Sequence, residues 1–518
     1  MNSTRREFVR TVVLGGGAVY FPGCGTNSST TTSASSPQAG TDIHRTLLSE
    51  KFEACHHVRD GGRFEVPPSS RRVEVAIIGG GPSGLICAYR LRDRDIVLIE
   101  KEPIVGGNAR TDIWQGIPYA AGAITTAGSS PCMKLYEELG LQPEPMRRSG
   151  GARPYVVDGK LYSDIWQDGL DSLVTASVRR RVLESRQMLL ELDLTARKTE
   201  LDRVTLASVL APYGPEVKDW YNDLLAWFAG TCDDYSGYAG ALLARSQMGH
   251  DLSVLYPERA SSDKSYSFPG GLAVAARALG QKIEESGPNR LISDAVVYRI
   301  AHERDGVAIS YLHGPVPVTI RASVAIVAAP KFIARHIVAD LPAGQKEAMG
   351  RFRYTPFLVA GVCTRARISS TVQTARVLRA PIANLRDASP GGERQLFRCE
   401  APLQARFRPQ VLADQYIRLL GDRIVGVFEA AFPGSRPHIE EVRIWRRGHN
   451  WYLPVPHMST GFQPAAARRF KRILLANADS VGEISEFGWA MVAAERAVDD
   501  AESLLRPSRQ TLRSGYRS

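Results

Sequence analysis

The residues best placed to do chemistry begin at Gly79. Gly79-Gly80-Gly81-Pro82-Ser83-Gly84 is a GxGxxG run. It follows the short apolar segment Val73-Glu74-Val75-Ala76-Ile77-Ile78 and leads into the helix-compatible stretch Leu85-Ile86-Cys87-Ala88-Tyr89-Arg90-Leu91. A second apolar segment, Ile96-Val97-Leu98-Ile99, ends at Glu100, with Lys101 beside it. Each position has a physical task. Gly79 permits a tight turn, Gly81 lets a pyrophosphate approach the backbone where a Cβ would block it, and Gly84 lets helix and strand pack closely. Pro82 and Ser83 open the helix, whose unpaired N–H groups and positive dipole end attract phosphate. A carboxylate at Glu100 accepts hydrogen bonds from ribose hydroxyls. The predicted chemistry is dinucleotide binding by a strand–turn–helix–strand unit of a parallel sheet.

Beyond the acid, Glu100-Lys101-Glu102-Pro103-Ile104-Val105-Gly106-Gly107-Asn108-Ala109-Arg110-Thr111 resembles a run of the flavin-containing amine oxidoreductase superfamily, the group of monoamine oxidases, protoporphyrinogen oxidases and phytoene desaturases. The resemblance implies FAD as cofactor. Gly106 and Gly107 would continue along its pyrophosphate and ribityl chain, with Arg110 close by. Asn108 stands where the family usually has arginine. Ile117-Pro118-Tyr119-Ala120-Ala121-Gly122-Ala123 is similar to the strand whose backbone passes the flavin ring, which brings in Gly122 and Ala123. Phe268-Pro269-Gly270-Gly271-Leu272 is similar to the family's turn before a helix, here Ala273 to Glu285. In residues 292–300, Val297 matches the position whose backbone holds adenine, and Ala328 lies in the strand that returns beneath the cofactor. Asp479 matches the acid that meets the ribityl hydroxyls, and Ala490 and Met491 lie at a helix start that would face the flavin edge. The sequence departs there: Trp489 and Ala494 stand at two of the family's glycines. No Cys or His accompanies Asp479 for a covalent link, so the cofactor is expected to be non-covalent.

These segments need a scaffold. The resemblance implies an α/β fold: a Rossmann-type FAD-binding domain of the glutathione-reductase-like variant, with an inserted α+β substrate domain. The cofactor domain is expected in three parts, 46–125, 265–345 and 461–505. The substrate domain is expected over 126–264, mainly helical, and 346–460, mixed strands and loops. The active site is expected between the two halves, where clefts usually lie.

Oxidation of an organic substrate requires a C–H held against the flavin and a proton acceptor. Lys331, after the Ala-Ala-Pro strand end, is one candidate; the alternative is a surface lysine at a helix start. Trp445, His449 and Tyr452, in a segment also holding Trp451 and His457, form a candidate cage for a cationic amine; the alternative is a packed strand pair. Asp233, Asp234 and Tyr235 are read either as a cation-attracting entrance or as a capping loop. The sequence holds no second GxGxxG and no Cys/His cluster for a metal. The reading is an FAD-dependent oxidoreductase oxidising a C–N bond by hydride transfer to flavin N5, with electrons passing to oxygen or a membrane acceptor. The alternatives are a desaturase or isomerase acting on C–C bonds, and a non-catalytic flavoprotein of an envelope assembly.

Composition sets the outer limits. With 518 residues, 44% hydrophobic and 23% charged, the chain has ample material for a large core and two or three domains. The net charge of +11 is scattered, apart from a basic tail over 506–518, and no nucleic-acid module accompanies it. The N-terminus carries Arg5-Arg6-Glu7-Phe8-Val9-Arg10 before a short, glycine-rich apolar run. Residues 1–24 are read as a twin-arginine signal, with that export machinery as partner and a periplasmic or cell-envelope location. Cys24 is a candidate for lipidation and membrane attachment. The Ser/Thr-rich stretch after it, within 25–45, reads as a flexible tether.

Overall fold

The computed structural model describes residues 43–146, 154–248, 265–369, 372–389 and 391–506. The proposed signal, Cys24 and nearly all of the basic tail lie outside the described residues.

The first domain is built on a seven-stranded sheet. Its parallel part places Leu291–Ile292, Ile96–Ile99, Ser69–Ile78, Val316–Val327 and Ile473–Leu475 side by side. Val75 to Ile78 and the whole of Ile96–Ile99 are buried, as continuous apolar strands must be when both faces are covered. Ala295–Glu303 and Gly306–His313 extend the sheet as an antiparallel meander with the first half of Val316–Val327. One face carries the helices Pro82–Arg90, Ala273–Glu285 and Phe487–Leu505, packed through Leu85, Leu279 and Ala494. The other face packs on Phe352, Tyr354 and Tyr452, so both faces of the sheet are closed.

The second domain is an eight-stranded mixed sheet. Its centre is the long antiparallel pair Arg353–Thr364 and Ile439–Leu453. The helix Asp414–Ala431 covers one face through Ile417, Ile424 and Phe428. A helical cap containing Ala176–Glu191, Pro215–Leu225 and Gly237–Met248 forms its own core around Trp220, Tyr221 and Leu243.

The entry of the chain differs from expectation. Residues up to 45 were expected to lie outside the fold, with the cofactor domain starting at 46. Instead Ile43 is buried in the core of the second domain. His44–Ser49 then forms an edge strand of that domain, parallel to Ile439–Leu453, from His44 opposite Glu441 to Ser49 opposite Arg446. An edge strand with half-buried residues leaves little periodic signal, because only its partner shows which face is covered.

Candidate active site

A single cleft runs from the GxGxxG turn to the inner face of the second sheet. The glycines explain its floor. Gly79 has φ of +104°, and a Cβ there would lie 3.3 Å from the Ala328 carbonyl carbon. A Cβ on Gly84 would fall 1.9 Å from the Gly79 oxygen, so only glycine permits this helix–turn contact. Gly81 is different: a Cβ there would meet nothing nearer than Gly107 Cα at 3.9 Å, because it would point into the cleft. The Gly106 amide donates to the Gly80 carbonyl at 2.7 Å, which lays the second glycine pair against the first. Gly122 is also forced, since its Cβ would sit 1.8 Å from the Asn108 oxygen.

Glu100 is fixed beneath the cleft. It accepts from the Gly80 amide at 2.6 Å and from the Glu102 amide at 2.9 Å. Burial pushes its carboxyl up, against these hydrogen bonds and Lys101. Lys101 reaches Glu102 at 2.5 Å and Glu50 at 3.2 Å. Arg110 lies 3.8 Å from Glu102 and over the Trp445 ring. Asn108 donates to the Asn450 carbonyl at 3.4 Å, joining the two domains.

Of the expected cofactor residues, Gly79, Gly81, Pro82, Ser83, Glu100, Lys101, Gly107, Asn108, Arg110, Ala123, Val297, Ala328 and Ala490 line the cleft. The Ser83 hydroxyl is turned to the Ala490 carbonyl at 3.1 Å, so it ties two helices together. Gly84, Gly106 and Gly122 act through close packing. Met491 is buried among helix contacts instead.

Asp479 corrects the expectation of a carboxylate open to ribityl hydroxyls. Its two oxygens take the Lys331 ammonium at 2.6 Å, the Lys331 amide at 2.8 Å and the Tyr354 hydroxyl at 2.5 Å. Lys331 is corrected with it. It starts the helix Lys331–Ile337, yet it is fully buried, neither a surface lysine nor a group facing the cleft. Burial pushes its ammonium down, against the pull of Asp479.

The aromatic cage is also corrected. Trp445 donates to Asp112 at 3.1 Å, within a cluster with Arg443 and Tyr119. Tyr452 is buried and bonds the Gly482 carbonyl. Trp451 packs against Trp227, Phe228 and Phe357. His449 alone of the candidates faces the cleft. Its ring stacks on Phe332 at 4.0 Å, with Tyr354 edge-on to Phe332 at 4.7 Å. Arg408 lies within hydrogen-bond reach of His449 Nε2; arginine has only donors, so that nitrogen is the acceptor of the pair. Of the proposed entrance, Asp234 caps the Thr231 amide and hydroxyl at 3.1 and 2.9 Å, and Tyr235 is buried, as in a capping loop.

Glu486 was missed by sequence reasoning. It precedes the helix Phe487–Leu505, accepts from the Gly488 amide at 2.8 Å, and lines the cleft. The signal available was an acid directly before an apolar helix. Burial pushes its carboxyl up to about 7, against the backbone amides of Gly488 and Trp489. A carboxyl raised in the folded state stabilises fully below its unfolded value and loses that contribution as pH rises through about 7. We expect the apoprotein to lose about 3 kcal/mol of stability from this group between about pH 5 and pH 8. Urea unfolding of Glu486→Gln should show a flatter pH dependence by that amount.

The sequence model of the flavin-containing amine oxidoreductases matches residues 82–400. The chain belongs to that family and is an FAD-dependent oxidoreductase with a Rossmann-type FAD-binding domain. Its fold is shared with putrescine oxidase bound to putrescine (14% identity, TM-score 0.63, covering 83% of this chain and 99% of that one). It is also shared with cyclohexylamine oxidase from Brevibacterium oxydans IH-35A (18% identity, TM-score 0.65, 84% and 100%). A putative protoporphyrinogen oxidase from Exiguobacterium sp. 255-15 aligns at 16% identity and TM-score 0.63, over 84% and 99%. FAD, typically non-covalent in this family, fits the cleft: the side of Gly81 is open to it, the glycine turn bares its backbone, and Glu100 lies beneath.

Proposed function

We propose that this protein oxidises a C–N bond of a small amine, with electrons passing on to oxygen or a membrane acceptor. The supporting observation is one cleft that joins an aromatic wall to an ionisable carboxyl. The stacked Phe332 and His449 rings, with Tyr354 edge-on to Phe332, give a carbon skeleton an aromatic wall. Glu486, titrating near 7, can take the proton of an ammonium group and leave the neutral amine required for oxidation. Bound FAD supplies two-electron, hydride-accepting chemistry. The oxidation of amines named for the putrescine and cyclohexylamine oxidases supports the same reading.

We further propose export by the twin-arginine route, supported by Arg5-Arg6 and the apolar run after it, with Cys24 as a lipid anchor. The first test is anaerobic. Amines, polyamines and amino acids are added singly to the purified holoprotein. We expect one amine class to bleach the flavin absorbance and air to restore it. A flavin that stays oxidised with every amine overturns the amine reading.

A further inference from the structure

We propose that residues 49–59 clasp the bound cofactor, and that Glu50 is the positioning residue that holds the clasp shut. The inference rests on FAD occupying the cleft described above.

The path of the chain carries the argument. His44–Ser49 belongs to the second sheet, where Ser49 lies opposite Arg446. The next residues leave that sheet and cross to the first domain. The Glu50 carboxylate spans the gap: one oxygen lies 3.5 Å from Arg447 Nε, and the other lies 3.2 Å from Lys101 Nζ. Arg447 belongs to the second sheet and is 3% exposed; its Nη1 also donates to the Ala121 carbonyl at 2.7 Å. Lys101 stands beside Glu100 on the nucleotide side. The Lys51 amide donates to Glu102 at 2.8 Å, and the Lys51 carbonyl accepts from Lys101 at 3.0 Å. Backbone and side chain therefore both fasten the crossing to the loop that carries Glu100.

The helix Glu53–Arg59 follows, and Phe52, Cys55, His56 and Arg59 line the cleft. Beyond it, Phe64 packs on Tyr298 at 5.1 Å, and the Tyr298 hydroxyl donates to the Glu65 carbonyl. The segment is thus anchored at both ends, one in each domain. The family match spans residues 82–400 and does not include this segment. On this proposal, a ligand whose ribose meets Glu100 leaves this side of the cleft only when the segment lifts.

Two measurements on the full chain test this. In the first, FAD release from the holoprotein is followed by recovery of flavin fluorescence after dilution. Glu50→Gln should release FAD at least roughly tenfold faster than the wild type, since the loss falls on the off-rate. An unchanged rate overturns the proposal. The second needs no variant. Limited trypsin cleavage after Lys51 and Arg59, mapped by mass spectrometry, should be roughly tenfold slower in the holoprotein than in the apoprotein, because cleavage follows the open population. Equal rates with and without FAD overturn the proposal. A wild-type chain that binds no FAD overturns the cofactor reading itself, and is distinguished by the absence of flavin absorbance from the start.

Discussion

A valine at position 81 should give a protein that folds and purifies but carries no flavin. The reason is the direction of the missing Cβ. At Gly81 it would meet no protein atom closer than 3.9 Å, so the apoprotein loses little. The new side chain instead fills the space that the pyrophosphate needs against the bare turn. The expected loss of FAD affinity is roughly 100-fold or more, equivalent to ~3 kcal/mol. Gly84→Val is the contrast. Its Cβ would fall 1.9 Å from the Gly79 oxygen, so it should destabilise the fold itself. Visible absorbance and apoprotein unfolding, measured for both variants, separate the two effects. A yellow Gly81→Val protein would remove this turn from the cofactor site.

Arg398→Met should have the largest effect on stability. Arg398 and Glu400 form an ion pair with side chains 1% and 2% exposed. Arg398 also donates to the Ala120 carbonyl at 2.5 Å and the Gly122 carbonyl at 2.8 Å, on the strand that leads to Ala123. Methionine keeps much of the bulk and removes the charge, so the buried Glu400 carboxylate loses its ion-pair partner. Breaking such a buried pair costs about 3–5 kcal/mol. Although burial opposes ionisation, Arg398, Arg376 and Trp227 hold the Glu400 carboxyl down to about 2. A carboxyl depressed in the folded state stabilises above its unfolded value and loses that contribution as pH falls toward about 2. The deficit of Arg398→Met should therefore be greatest at neutral pH and shrink in acid. Urea unfolding at neutral and acidic pH checks the sign. A pH-independent difference would mean that the charge pair is not its source.

Sequence reasoning did best where function is local in the chain. The turn from Gly79 to Gly84 and the acid at Glu100 are set by neighbouring residues, and Gly81, Glu100 and Ala123 all reach the cleft. It did worst where residues close in sequence were assumed to be close to one ligand. Trp445 and Tyr452 share the strand Ile439–Leu453. A strand rises about 3.3 Å per residue, so they lie roughly 23 Å apart along it. One serves Asp112 and the other Gly482. Lys331 and Asp479 failed in the opposite way. Each alone resembles a residue that faces a cofactor, and nothing in either segment announces that they neutralise each other. Glu50 and Glu486 are ordinary surface-type acids in the sequence. Only the packing of distant strands and one helix end gives them cleft positions.

The strand Val316–Val327 joins Ser69–Ile78 on one side and Ile473–Leu475 on the other. That arrangement sets a schedule for the newborn chain. The earliest apolar strands leave the ribosome long before their last neighbour exists. At ordinary elongation rates of about 5–20 residues per second, the wait is roughly 20–80 s. Closing a loop of this length is also slow, because its entropy is lost before the pairing rewards it. Through that interval the sheet edge is open to wrong partners, and a helper that shields nascent apolar strands would raise the yield of active protein more than any change to the finished fold.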